Sequence, residues 1–422
     1  MIFTLVKNEL IKVLKRGKTW VVFGLFALAI IGFISIAKVD AKDIAYNQSP
    51  QGQIENLTNT LNWRKDDLKR NEDYLKELEN DKSANKTTIQ DTKNSIEYMK
   101  QDIKSLENNI KEQEKLLNQD KSDWKSILKS KNDNLKSELE KAKLEDSNNK
   151  EYINSVTEEI ERNNYFLDNN IEPIQEWDFY PSNVGIKIMR VFGMIMLAAG
   201  IAVFMSDIVS GECTPATFKF LLVQPISRGK VMLSKFIAIV ITVVGMICGL
   251  EVVAFGIIGA ITGFDAAKMP VELGLKYKIN KEILMQQGYK QLDLVANSGY
   301  NSTMGDYVLK SFLLQILFII ACCAFIFMIS ALFKSNMITM AVSVIISVAA
   351  TMLPVMSEKI GEYAHLIFLN YGNTPDVIEG SIATTYLNPN FTPKLGIILM
   401  IGTIIVSYII ANIVFSKRDM LV

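Results

Sequence analysis

Residues 20–37 read WVVFGLFALAIIGFISIA, a stretch without a single charge. That is about the length an α-helix needs to cross ~30 Å of hydrocarbon. Five further apolar runs follow it, at Ile186–Met205, Val231–Thr262, Phe312–Phe333, Met337–Leu353 and Leu395–Phe415. A soluble core has no use for six such runs. They predict an all-α polytopic membrane protein with six transmembrane helices, the third long enough to tilt or to extend past the bilayer.

Working back from Trp20, the segment 1–19 carries Lys7, Lys12, Lys15, Arg16 and Lys18. A secretory signal also begins basic, but Phe3, Val6, Leu10 and Val13 recur at three- to four-residue steps, with most of the basic residues off that stripe. We read residues 1–17 as an amphipathic helix in the membrane interface, feeding an uncleaved first span (20–37). Working forward, the region 38–185 changes character. The whole chain balances 45 Lys and Arg against 45 Asp and Glu over 422 residues, yet 38–185 holds 23 basic and 31 acidic residues. It is a large, hydrophilic, acidic insertion between the first two spans.

The Lys/Arg bias of short loops sets orientation. With the N-terminus inside, the segments 1–19, 206–235, 334–336 and 416–422 are cytoplasmic and hold 12 basic residues against Glu9, Asp207, Glu212 and Asp419. The opposite segment 354–394 has Lys359 and Lys394 against Glu358, Glu362, Asp376 and Glu379. Both termini are then cytoplasmic, and the insertion and the loop 263–310 are extracellular. Cys213, Cys248, Cys322 and Cys323 all lie in or beside apolar runs. The insertion therefore has no disulfide framework, and no zinc-type spacing exists.

Within the insertion, residues 51–171 keep heptad time. Ile54, Leu57, Leu61, Leu68, Leu75 and Leu78 form one seam, and Ile89, Ile96, Met99, Ile103, Leu106, Ile110 and Leu117 a second. Trp124, Leu128, Leu135 and Leu139 make a third, and Ile153, Val156, Ile160 and Leu167 a fourth. Polar breaks fall at Lys82–Thr87, Asn118–Asp123 and Asp146–Lys150, and no proline stands between Pro50 and Pro173. The chain leaves the membrane and must return, which an even number of helices accomplishes without a long return loop. Two antiparallel hairpins of a coiled-coil domain are expected. A solvated spacer and a docking stalk for an extracellular partner fit this pattern equally.

The loop between the second and third spans reads DIVSGECTPATFKFLLVQPISRGK over residues 207–230. Phe218, Leu221 and Leu222 against Lys219 and Gln224 make a short amphipathic helix, which Pro225 ends. Such a helix can lie in a groove on a partner, with Arg228 and Lys230 free to meet acids or phosphates. A loop that only obeyed the charge bias would need no apolar face. The segment resembles the first cytoplasmic loop of type-2 ATP-binding-cassette (ABC) exporter permeases in Glu212, Thr217, Lys219, Leu221, Leu222, Pro225, Ile226, Ser227, Arg228, Lys230 and Lys235. It departs from that family at Ala216, where a glycine is usual, and at the preceding Pro215. Asn8-Glu9-Leu10-Ile11-Lys12 resembles the family's elbow helix, and Phe415-Ser416-Lys417-Arg418-Asp419 its usual ending.

The resemblance implies a coupling helix that binds a separate ABC ATPase through Glu212, Thr217, Phe218, Lys219, Leu221, Leu222, Pro225, Ile226, Ser227, Arg228 and Lys230, with Glu9 and Lys12 in the elbow. It further implies a second permease copy or a paralogous permease, and short re-entrant helices in 354–394. The residues alone leave an ordinary exterior loop open for that last segment.

No G-x-x-x-x-G-K-S/T occurs, so this chain has no P-loop for nucleotide phosphates. ATP and magnesium would be held by the partner, and this chain is expected to bind no cofactor and to be no enzyme. His365 is the only histidine, which removes most Ser–His and Cys–His nucleophile arrangements. Basic residues at the membrane face do not make a nucleic-acid module. Glu251 stands inside the third apolar run. It reads either as a contact for a cationic substrate on the pathway or as a residue reaching the interface. The reading is a plasma-membrane ABC permease, an exporter of amphipathic peptides, lipid-like molecules or drugs. The alternative is a transmission device in which ATP hydrolysis moves the coiled coil against an external partner, with nothing transported.

Overall fold

The structure is a computed structural model that describes residues 2–81, 85–117, 124–145, 150–213 and 227–417. The chain divides into two compact units, one of Met1–Ala37 with Phe179–Val422 and one of Lys38–Asp178.

The first unit begins with α1 (Ile2–Leu14) and α2 (Gly17–Gln48), the latter belonging to it as far as Ala37. It continues with α7 (Pro181–Met194), α8 (Met196–Met205), α9 (Arg228–Thr262), α11 (Met304–Leu332), α12 (Asn336–Met356) and α16 (Pro393–Lys417). Five of these helices are long and apolar enough to cross a membrane, and α7 with α8, bent by 61° to each other, add a sixth if the pair is counted as one span. The protein is a polytopic, largely helical membrane protein. α11 is its hub, packing against α7, α8, α9, α12 and α16. Ala321, Cys322, Cys323 and Ala324 are small enough to admit neighbours on every side and are almost wholly buried. α12 turns an unusual face inward: Thr339, Ser343, Ser347 and Thr351 recur every fourth residue and are buried, while Ile338 and Ile345 are exposed. A polar stripe sheltered by protein and an apolar one left for lipid is the arrangement a bilayer favours.

Two features differ from a plain reading of the runs. The second span is broken at Ile195, which leaves helical geometry with φ −134° and ψ −38°. No proline marks the place. The chain also contains four short strands in the 263–310 region, where the sequence suggested only a loop. β1 (Pro270–Leu273) pairs antiparallel with β4 (Tyr300–Thr303), Pro270 opposite Thr303, and β2 (Tyr277–Ile279) with β3 (Leu292–Leu294), Tyr277 opposite Leu294. Between β2 and β3 lies α10 (Lys281–Gln287), started by Asn280, whose side chain accepts from the Ile283 amide, and ended by Gly288 at φ +75°. Strands of three or four residues are too short to show a period.

After α12 come the short helices α13 (Glu358–Gly361), α14 (Thr374–Glu379) and α15 (Ile382–Thr385), at the end of the bundle opposite α1. Asn373 caps α14 and Pro375 occupies its first turn. The amides of Gly274 and Leu275 donate to the carbonyls of Ile378 and Glu379, which ties the strand region to α14. His365 packs here, its Nδ1 3.0 Å from the Asn388 amide nitrogen.

The second unit holds α3 (Pro50–Asn80), α4 (Lys86–Leu117), α5 (Trp124–Glu145) and α6 (Lys150–Asp168). Ser49 accepts from the Gly52 amide and Pro50 opens α3, a capping arrangement that starts the helix sharply. α3 and α4 run antiparallel, cross-linked by Arg64–Asp102, Lys100–Glu72 and Lys93–Glu79, each at 2.8 Å. α5 and α6 pair in the same sense around Leu128, Val156 and Ile160. Between them Asn163 donates to Asn132 and Asn132 to Asn164, both at 2.9 Å. A buried amide pair in an apolar seam fixes register at some cost in stability. The polar breaks expected at 82–87, 118–123 and 146–150 fall largely outside the described residues.

Candidate functional site

Most of the expected coupling segment, with Thr217, Phe218, Lys219, Leu221, Leu222, Pro225 and Ile226, lies outside the described residues. What the structure describes is the frame on either side of it. Upstream, a 3₁₀ turn over Ser210–Cys213 contains the backbone of Glu212. Downstream, Ser227 precedes α9, and its carbonyl accepts from the Lys230 and Val231 amides.

The upstream flank is pinned on two sides. Asp207 pairs with Lys18 at 3.0 Å and Arg16 at 3.5 Å, which binds it to the residues joining α1 and α2. The amides of Val209 and Ser210 both donate to Ser330 Oγ on α11, at 3.2 and 3.1 Å. Ser210 Oγ sits 2.6 Å from Asn336 Oδ1 on α12. These groups sit at a span end, where backbone donors leave the helix and need partners.

The downstream flank is held by two further contacts. Arg228 Nη1 donates to the Ser416 carbonyl at the end of α16, at 3.2 Å. About two turns further along α9, Lys235 Nζ donates to Glu9 Oε2 at 3.0 Å. The Lys235 side chain is only 3% exposed and that of Glu9 22%. α1 thus lies against α9 with Val6 and Val13 buried and Glu9 over Lys235. Lys12 and Lys230 are exposed.

Sequence reasoning named Glu9 but did not connect it with Lys235, and it missed the roles of Arg16, Lys18, Asp207, Ser330 and Asn336. One signal was available for Asp207, an acid at the end of an apolar run in a loop with an excess of basic residues.

At the opposite end, Arg190 on α7 reaches α14. Its Nε donates to Asp376 Oδ1 and its Nη2 to Glu379 Oε2 at 3.1 Å, while the Tyr307 hydroxyl donates to the same Glu379 oxygen at 3.3 Å. Burial, and then the carboxylates of Glu379 and Asp376, push the nearby Tyr277 phenol above its usual range. Nearer the surface, the hydrogen bond from Lys290 and then its charge hold the Glu362 carboxyl below the usual carboxylate range. Replacing Arg190 by alanine leaves two carboxylates facing each other without a cation. The expected loss is about 1–2 kcal/mol, less than for a fully buried pair because Arg190 is partly open to solvent. A lowered thermal unfolding midpoint of the detergent-solubilised protein checks this, and Arg190→Lys should recover less than half of it because the fork is lost.

Inside the bundle, Glu251 on α9 is buried against α11, where Gln315 Nε2 donates to its Oε1 at 2.9 Å. Gln315 is a second polar residue that the sequence displays openly, a lone amide in the run Phe312–Phe333. An apolar groove of about 290 Å³ opens between α2, α7, α8 and α9, lined by Phe26, Phe192, Met196, Phe204, Val243 and Met246.

A family model described as ABC-2 family transporter protein matches residues 3–420. An uncharacterised protein of Bacillus subtilis strain 168, YhcI, is 23% identical over 304 residues, which cover 71% of this chain and 85% of that protein.

Proposed function

This chain belongs to the ABC-2 family of transporter proteins, and from that premise we propose that it is the permease of an exporter for amphipathic peptides, lipid-like molecules or drugs. Membership makes it a multi-pass membrane subunit that works with an ABC ATPase. In our reading two copies assemble in the plasma membrane, with both termini in the cytoplasm and the helical insertion outside. ATP and magnesium sit in the ATPase, which docks on residues 207–230 and on α1.

The observation that carries this reading is the anchoring around the segment 214–226. Its upstream flank is tied to the α1–α2 junction through Asp207, and its downstream helix to α1 through Lys235 and Glu9. A push on the loop or on α1 is therefore delivered to α9 and, through Ser330, to α11. The apolar groove beside Phe192 and Phe204 supports an apolar or amphipathic cargo over a polar one.

The test is purification of the tagged full-length protein from its own host in mild detergent. A P-loop ATPase in stoichiometric amount is expected with the wild type. It should fall at least tenfold for Leu221→Asp combined with Leu222→Asp, with the permease still eluting at its dimer size. No ATPase with the intact wild-type dimer would refute the reading.

A further inference from the structure

Two buried oxygens in the middle of the bundle are left without partners, and they belong to side chains that already touch. Gln315 Nε2 donates to Glu251 Oε1, while Glu251 Oε2 and Gln315 Oε1 have no hydrogen-bond partner among the described residues. Gln315 is fully buried and Glu251 is 8% exposed. Glu251 lies ~35 Å along α9 from Arg228 and ~17 Å from Thr262, at 1.5 Å per residue. Its chain neighbours are Gly249, Leu250, Val252 and Val253.

A carboxylate in that place would be an uncompensated charge in hydrocarbon. The charged groups on the packed helices are committed elsewhere: Lys235 to Glu9, Arg190 to Asp376 and Glu379, and Lys310 to Asp306. The charged residues of α1 lie toward the far end of α9, and Lys394 and Lys417 stand at the two ends of α16. Lys187 on α7 is half-buried and makes no ion pair with Glu251. The titratable neighbour on its own helix is the buried thiol of Cys248.

One proton on Glu251 Oε2 answers all of this. It removes the charge, turns Oε2 into a donor, and supplies the hydrogen bond that Gln315 Oε1 lacks. The two side chains then form a closed acid–amide pair, with N–H to the acid carbonyl and O–H to the amide carbonyl. We propose that Glu251 and Gln315 form a proton-binding site between α9 and α11, occupied while the two helices are packed. Parting them would admit water and release the proton. The packed state holds one proton more than the parted one, so raising the pH favours parting.

The probe is N,N′-dicyclohexylcarbodiimide, which modifies protonated carboxyls in apolar surroundings, applied to native membranes containing the full-length protein. Modification of the Glu251 peptide is followed by mass spectrometry. Between about pH 5 and about pH 6.5 the rate should change less than twofold, whereas an open glutamate, with a usual pKa of ~4.3, would lose about 25-fold. A fall of about 25-fold would overturn the proposal. So would protection by sodium chloride over choline chloride at constant pH, because the site would then hold a metal cation. Glu251→Gln keeps a neutral amide pair, and its yield and assembly should stay within twofold of the wild type. Loss of that protein while Glu251→Asp survives would show that the ionised form is required, and would also overturn the site. Neither result depends on the ATPase co-purification, so the two readings fail separately.

Discussion

Replacing Glu9 by alanine is expected to destabilise the membrane unit by about 3 kcal/mol, the low end of what breaking a buried ion pair costs. The cost arises on the other helix. Lys235 keeps a side chain that is 3% exposed, and its ammonium loses a carboxylate oxygen at 3.0 Å. Val6 and Val13, the residues that line the buried face of α1, offer no carboxylate in its place. Glu9 itself retains some contact with solvent, which puts the loss below that of a wholly buried pair. The companion experiment separates charge from packing. Glu9→Leu combined with Lys235→Met removes both charges and should recover most of the stability, because well-packed apolar residues of similar volume replace a buried pair with little net cost. Thermal unfolding midpoints of the detergent-solubilised variants read both effects. Equal losses in the single and double variants would mean that the pair contributes nothing beyond its packing. In the transport reading, Glu9→Ala should also weaken the response of ATPase activity to cargo, since α1 would no longer move with α9.

The second large effect is expected at Gly372. A Cβ on Gly193 in α7 would meet the Gly372 carbonyl oxygen, and a Cβ on Gly372 would meet the Gly193 carbonyl oxygen and the ring of Phe318. Two backbones are in contact there, and backbone cannot turn to another rotamer. Gly372→Ala should therefore cost about 3 kcal/mol, the upper end of the usual range for overpacking. Its φ of −66° suits any residue, so conformational strain plays no part and the loss reports the close approach alone. Gly24 in α2 provides the contrast, because a Cβ there meets nothing within 4 Å. Gly24→Ala should be neutral or gain up to ~1 kcal/mol of helix propensity. If both variants melted together, α7 and the 372 turn would not be touching.

These two effects mark the limits of what could be read in advance. The six apolar runs were legible because hydrocarbon thickness demands a fixed length of uncharged helix, a constraint that acts on each segment separately. The helices of the insertion were legible for the same reason, since an apolar repeat of three to four residues is a local period. The start of α3 is written in Ser49 and Pro50, and the amphipathic character of α1 in its three- to four-residue stripe. Even Glu251 and Gln315 stand out as polar residues in apolar company. The broken second span and the short strands were not legible. Ile195 carries no breaker, and three-residue strands carry no period.

What sequence alone determined about this protein is thus the set of elements: membrane helices, an amphipathic first helix and a hydrophilic helical insertion. Which side chain meets which was decided by tertiary structure. Glu9 and Lys235 are 226 residues apart, Arg190 and Asp376 are 186, and Glu251 and Gln315 are 64. The chain offers 45 bases and 45 acids, and opposite charges attract without a register. Only when helix packing removes water from a particular pair does one match become far better than the rest. Packing places Gly193 on Gly372, Glu9 on Lys235, and an amide on a buried acid.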